Sequence, residues 1–175
     1  MGHPKKQRKK YESPKKLWNK KRIETDKKTL EDFGLRRKHE IWRAESILRD
    51  FRRRARELQA SQDEEKKKAL FDKLNKLGLR TSKLDDVLSF RLEDILSRRL
   101  QTYVYKKGLA NTQKHARQLI VHGHILVNDR KMKWPSYLVR SSDEQNISLD
   151  PVLAAKLVKP AQATAAQNKK KVTKE

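Results

Sequence analysis

Residues 92–140 read LEDILSRRLQTYVYKKGLANTQKHARQLIVHGHILVNDRKMKWPSYLVR, and the reading of this stretch decides the fold. Leu92, Ile95, Leu96, Leu100 and Tyr103 recur at helical spacing, which predicts one helix over 92–106 with a single buried face. Arg98 and Arg99 lie away from most of that face, and Gly108 stops the helix. Asn111-Thr112 opens a second helix over 112–121. Ala116, Leu119 and Ile120 face inward on it, and Lys114, Arg117 and Gln118 point elsewhere. Gly123 ends it. Residues 125–127 predict a short strand, Asn128-Asp129 a tight turn and 130–132 the returning strand. Trp134-Pro135-Ser136 breaks the run. Residues 137–139 and 147–149 predict further short strands around a turn at Asp143-Glu144. Two helices followed by a small sheet make an α+β unit.

Upstream, residues 36–59 carry Ile41, Ala44, Leu48, Phe51, Ala55 and Leu58 at steps of three and four, one apolar stripe of a helix. Arg49, Arg52, Arg53 and Arg56 form a second stripe beside it. Glu45 with Arg49, and Asp50 with Arg54, are i,i+4 pairs that support the helix. The plain reading of such a stripe is a salt-bridged solvent face, but here the basic residues outnumber the acids. Ser61-x-x-Glu64 is a capping-box pattern that opens another helix, with Leu70, Phe71, Leu74 and Leu77 as its buried face. Gly78 suits the residue just past its end, where Leu79 folds back on Leu74. The two helices are expected to pack as a hairpin. Residues 80–91 form a connector with a short helical turn around Leu84, Val87 and Leu88.

Charge sets the class of partner. Against 22 Asp+Glu stand 45 Lys+Arg, a formal net charge of +23, which implies a polyanion: RNA, DNA or an anionic membrane. No apolar run approaches the roughly 20 residues of a membrane span. The basic start lacks the apolar segment of a secretory leader, and Lys6 stands where N-myristoylation at Gly2 needs Ser or Thr. The absence of cysteine excludes disulfides, thiolate zinc sites and thiol catalysis. Residues 1–22 hold ten Lys/Arg and one Glu. They read as a basic arm that orders only against an anion, with Tyr11, Leu17 and Trp18 as anchors to RNA or protein. The division that follows is a basic arm over 1–22, an Arg-rich helical domain over 23–91, the α+β unit over 92–152 and a second basic tail over 153–175.

No phosphate-cradling glycine loop or nucleophile elbow is present. His122 and His124 are two apart with no further ligand at matched spacing, so turn hydrogen bonds or RNA contacts suit them better than zinc. Asp85-Asp86 and Glu93-Asp94 read as charges at helix starts rather than as a carboxylate dyad. No enzyme, metal or cofactor is expected. Binding remains. Arg98, Arg99, Lys114, Arg117 and Gln118 cluster on two consecutive helices, and Thr112 opens a helix start whose free amides suit phosphate. Lys106, Lys107 and Lys131 extend this candidate set, as do Arg43, Arg49, Arg52, Arg53 and Arg56 upstream. For each residue alone, a solvated surface charge is the bland alternative. No DNA-binding motif is seen, and a basic face with two tails suits a folded RNA read by shape and backbone.

The pattern Arg99-Leu100, Thr112, 116–120 (ARQLI), 122–125 (HGHI), Val127-Asn128, Pro135-Ser136 and Val139 resembles the S-four RNA-binding domain. Gly34-Leu35-Arg36, Glu40-Ile41-Trp42-Arg43 and the run 92–102 narrow the resemblance to the archaeal and eukaryotic form of small-subunit ribosomal protein four, over roughly residues 5 to 150. The resemblance implies a structural constituent of the small ribosomal subunit. It also implies a primary binder that nucleates assembly on the 5′ domain of small-subunit rRNA. Neighbouring small-subunit proteins, and mRNA at the channel where it enters, are the further partners implied. Carried over by position, the RNA face holds Arg98, Arg99, Lys114, His115, Arg117, Gln118, His122, His124 and Asn128, with Thr112 as helix cap. Some relatives hold zinc through N-terminal cysteines, which this chain lacks. A ribosome-assembly factor sharing the domain is the alternative. An RNA-modifying enzyme would need a catalytic domain that the Arg-rich upstream helices do not supply, and a membrane-surface protein would need an apolar face left free.

Overall fold

The apolar stripe of residues 36–59 is the spine of the N-terminal half. It lies on α2 (Lys38–Ser61), where Ile41, Ala44, Leu48, Phe51, Ala55 and Leu58 are all buried. In the computed structural model, which describes residues 9–61 and 63–151, four further helices gather around that spine: α1 (Lys20–Asp32), α3 (Glu64–Lys76), α4 (Leu84–Ser89) and α5 (Leu92–Ser97). Leu70 and Leu74 of α3, Val87 of α4, and Ile95 and Leu96 of α5 complete one continuous apolar cluster. Each fully buried aliphatic side chain there contributes roughly 1.5–3 kcal/mol. The element packed most extensively on α2 is α4 rather than α3, so the expected α2–α3 hairpin is only part of the helical arrangement.

A second cluster forms the C-terminal lobe. It is built from α6 (Leu100–Lys106), α7 (Gln113–Val121) and a three-stranded antiparallel sheet of β1 (Ile125–Val127), β2 (Arg130–Lys131) and β3 (Ile147–Leu149), in the order β2-β1-β3. Val127 pairs with Arg130 on one side and with Ile147 on the other. Leu100, Val104, Ala116, Ile120, Ile125, Val139 and Ile147 meet beneath the sheet. The fold is α+β, as the sequence predicts.

Local chemistry explains the element ends. Gly78 follows α3 at φ +73°, the amide of Leu79 donates to Leu74 O at 3.0 Å and that of Gly78 to Asn75 O at 2.9 Å, a complete Schellman end. Asn128 and Asp129 both have positive φ, 50° and 61°. These residues tolerate the left-handed conformation best after glycine, and a primed hairpin turn requires it at both positions.

Several expectations are corrected. Ser61 closes α2 instead of capping α3, whose N-cap is Asp63. Asp50 pairs with Arg53 at 3.5 Å rather than with Arg54. Residues 20–32 form a helix that starts inside the expected arm and runs into the helical domain, where the sequence assigns no element because KKRIETDKKTLED shows no clear apolar face. The arm is also docked within its described part: Tyr11 stacks on His39 with ring centroids 5.9 Å apart, and the Glu12 amide donates to Ser46 Oγ at 3.1 Å. Residues 137–139 form no strand. Leu138 makes only an isolated bridge to Arg99, and β3 pairs with β1. That bridge also breaks the helix expected over 92–106: the chain is extended at Arg99 (φ −70°, ψ 142°), the Leu100 amide donates to Tyr137 O at 2.7 Å, and the Val139 amide donates to Arg98 O at 2.9 Å. The basic tail expected over 153–175 and the first eight residues of the arm lie outside the described residues.

Candidate nucleic-acid interface

Where the two lobes meet, one carboxylate holds two guanidinium groups. Glu40, on the first turn of α2, accepts from Arg99 at 2.6 Å and from Arg117 of α7 at 3.0 and 3.1 Å. Arg99 is only 4% exposed and Glu40 8%. Burial works to raise the Glu40 carboxyl, but the Arg117 hydrogen bond, the charges of Arg99 and Arg117 and the Arg36 amide outweigh it, so it lies below the ordinary carboxylate range. Beside this hub, the fully buried Gln101 donates from Nε2 to the carbonyls of Gly34 at 2.9 Å and Gln113 at 3.1 Å, tying the α1–α2 connection to α7. Neither Glu40 as a hub nor Gln101 was singled out from the sequence as a functional position.

The sequence places Arg99 away from the buried face, whereas the structure turns it inward because the chain kinks at that residue. Arg98 is half-buried, donating to Val139 O at 3.1 Å and to Glu144. Arg117 is half-buried on Glu40. These three arginines therefore join the lobes in this structure.

On α7 the expectation about orientation holds. Thr112 caps the helix, accepting from the His115 amide at 3.1 Å, and Ala116, Leu119 and Ile120 are buried. Lys114, Gln118 and His122 follow one another at four-residue steps, one helical stripe, and all are exposed. His122 stacks on His124 at 6.2 Å, and the His124 amide donates to Leu119 O at 2.9 Å across Gly123. Asn128 is exposed at the β1–β2 turn, where its side chain donates to Asp143 and accepts from Asn146, both at 3.0 Å. The Asn128 hydrogen bond, with those from Tyr137 and Ser142, keeps the Asp143 carboxyl below its ordinary range against the effect of burial. Lys131, exposed, pairs with Asp150 at 3.1 Å. Lys106 is exposed, and Lys107 is exposed with its ammonium on the carbonyls of Gln145 and Ile147.

The arginine stripe of α2 is mostly engaged. Arg49 pairs with Glu12 and Glu45, Arg52 donates to Phe90 O, Arg53 meets Asp50 and Glu57, and Arg56 donates to Arg52 O. Arg43 is exposed and makes no ion pair or side-chain hydrogen bond among the described residues. Trp134, at 70% exposure beside Pro135, is an aromatic that the sequence reading treated only as a strand breaker. Among the described residues no three metal-ligating side chains come together, and no helix is long and apolar enough to cross a membrane.

A small α+β lobe presenting a polar helix stripe, joined to an Arg-rich helical lobe, belongs to a class of RNA-binding modules, and the S4 domain family model matches residues 98–144. Over 153 residues, 84% of this chain and 84% of the relative, the sequence is 52% identical to the small ribosomal subunit protein uS4 of Saccharolobus islandicus strain L.S.2.15 / Lassen #1. The same identity and coverage hold for the uS4 proteins of strains M.14.25 / Kamchatka #1 and M.16.27. The chain belongs to the uS4 family of small ribosomal subunit proteins. It is a ribosomal structural protein and not an enzyme.

Proposed function

We propose that this chain binds small-subunit rRNA through the exposed stripe of α7 and the turns beside it. Lys114 neutralises a phosphate, and Gln118 and His122 hydrogen-bond to the RNA. The observation that supports this reading most directly is that Lys114, Gln118 and His122 are exposed on one face of α7, whereas the neighbouring Arg99 and Arg117 are held by Glu40. His115, His124, Asn128, Lys106, Lys107 and Lys131 flank the stripe. Arg98, Arg99 and Arg117 serve that face by fixing the lobes that carry it. Early docking on the 5′ domain, nucleation of assembly, contact with neighbouring small-subunit proteins and a position beside the path of mRNA are the finer parts of this proposal, supported by the family likeness.

The test is binding to a 5′-domain rRNA fragment across a salt series, with excess unrelated structured RNA as competitor. The wild-type chain should resist the competitor. Lys114→Ala with Gln118→Ala should weaken binding and make the salt slope shallower by about 0.9, the value for one phosphate contact. Competitor-sensitive binding that the double substitution leaves unchanged would overturn the assignment of this face.

A further inference from the structure

We propose that the cleft between the two lobes is a phosphate site that takes one backbone phosphate of the bound RNA and so pins the lobes together. The proposal deepens, and rests on, the rRNA-binding reading above. The cleft has a volume of about 160 Å³ and is lined by His39, Glu40 and Arg43 from α2 and by Arg99, Arg117 and the Pro135-Ser136 turn from the other lobe. This is several times the ~10–15 Å³ that a single water needs, enough for a small tetrahedral anion.

Three guanidinium groups face one carboxylate there, a formal excess of two positive charges from Arg43, Arg99 and Arg117 against Glu40. Glu40 occupies only part of their donor capacity. Arg99 is 4% exposed, and its Nε has no hydrogen-bond partner among the described residues. A buried guanidinium N–H left without a partner is costly, because a charged donor loses its water without replacement. Arg43 contributes a whole guanidinium with no ion pair among the described residues. The Ser136 hydroxyl, half-buried at the wall, also makes no side-chain hydrogen bond among the described residues. A phosphate oxygen accepts several such donors at once, and guanidinium is the side chain best matched to it. Burial works most strongly against the protonated form of Arg99, Glu40 supports it, and the charges of Arg117 and Arg43 add to the opposition, to which an entering anion is a counterweight. Because the walls come from both lobes, a phosphate seated here bonds α2 and the S-four lobe together.

The experiment follows the Arg99 Nε–H resonance of the ¹⁵N-labelled full chain as it is titrated with inorganic phosphate, with the 5′-domain rRNA fragment, and with chloride at matched ionic strength. Arg43→Ala, which removes no ion pair or side-chain hydrogen bond among the described residues, is the comparison. The expected result is a saturable shift of Arg99 Nε–H with phosphate and with RNA but not with chloride. Arg43→Ala should lose the phosphate response and show a salt slope for RNA about 0.9 shallower. A response to inorganic phosphate without one to RNA that does bind would overturn the backbone assignment. No selective response to phosphate, with Arg43→Ala matching wild type, would overturn the site itself. Failure of the α7 face shows separately, in the Lys114→Ala with Gln118→Ala variant, and leaves the phosphate titration interpretable.

Discussion

Glu40 is a buried carboxylate shared by two guanidinium groups. Its two oxygens serve Arg99 and Arg117, and both are drawn from the S-four lobe while Glu40 belongs to α2. Removing the negative charge leaves two guanidinium groups facing each other with one of them buried. Glu40→Gln should therefore destabilise the fold by about 3 kcal/mol, the lower end for a broken buried pair because Arg117 keeps partial access to water. The midpoint of urea unfolding measures this, and an unchanged midpoint would show that the hub is energetically neutral. The pH dependence has a definite sign. The folded carboxyl lies below its ordinary value of 4.5, so its contribution is fully present above that pH and is lost as pH falls through the folded value. Asp143 adds a loss of the same sign. Wild-type stability should fall steeply below about pH 4.5, and Glu40→Gln should fall less over the same range. At this scale residue type and position single out cations but not the bonds those cations make in the fold. Arg99 and Arg117 are recognisable as important from residue type and position, but a pattern of cations does not reveal that an acid 59 residues upstream of Arg99 is their partner.

At the scale of elements, periodicity serves well where burial is one-sided and less well where another strand takes over the backbone. The stripes of α2 and α7 are plain in the sequence because every third or fourth residue is apolar, and each such residue is buried. The break at Arg98-Arg99 has no local signal, neither proline nor glycine, because pairing with residues 137–139 imposes it from outside. The end of α3 is legible because Gly78 is required there. A Cβ on Gly78 would lie 2.6 Å from the Arg98 guanidinium carbon, at φ +73°, and that guanidinium is held by Val139 O and Glu144. Gly78→Ala should thus cost about 2 kcal/mol, combining left-handed strain with displacement of Arg98. Gly123 has a similar φ of +76°, but its Cβ would meet only Lys133 at an ordinary 3.5 Å. Gly123→Ala should cost nearer 1 kcal/mol, the strain alone. Equal losses in thermal unfolding would show that the approach of Arg98 to Gly78 contributes nothing.

For the whole molecule, charge has two distinct uses, and the N-terminal arm shows both. Ten Lys/Arg within residues 1–22 suggest a polycation that orders only against an anion, with Tyr11, Leu17 and Trp18 as anchors to RNA or protein, and on that reading deletion leaves the core folded. The structure assigns the arm a second role. Arg22 lies in the first turn of α1 and donates to both oxygens of Glu45 at 2.8 and 3.0 Å. Tyr11 lies against His39 and Trp42 of α2, and Glu12 reaches Ser46 and Arg49. Deleting residues 1–22 removes these contacts together with the Asn19 cap of α1. An aromatic contact contributes about 0.5–1.5 kcal/mol and a partly exposed ion pair up to about 1 kcal/mol, so the expected loss is about 1–2 kcal/mol. That corresponds to a drop in Tm of roughly 2–8 °C for a chain of this length. The same deletion should make the salt slope for rRNA shallower, by about 0.9 for each phosphate the arm neutralises. The two readouts separate the roles, because screening by salt weakens phosphate contacts far more than aromatic packing. A shallower slope with an unchanged Tm would return the arm to a bare polycation. A lowered Tm with an unchanged slope would make it a structural brace that leaves RNA to the S-four lobe. The contacts of Tyr11 and Arg22 with residues of α2, together with the exposed lysines around them, require both to change.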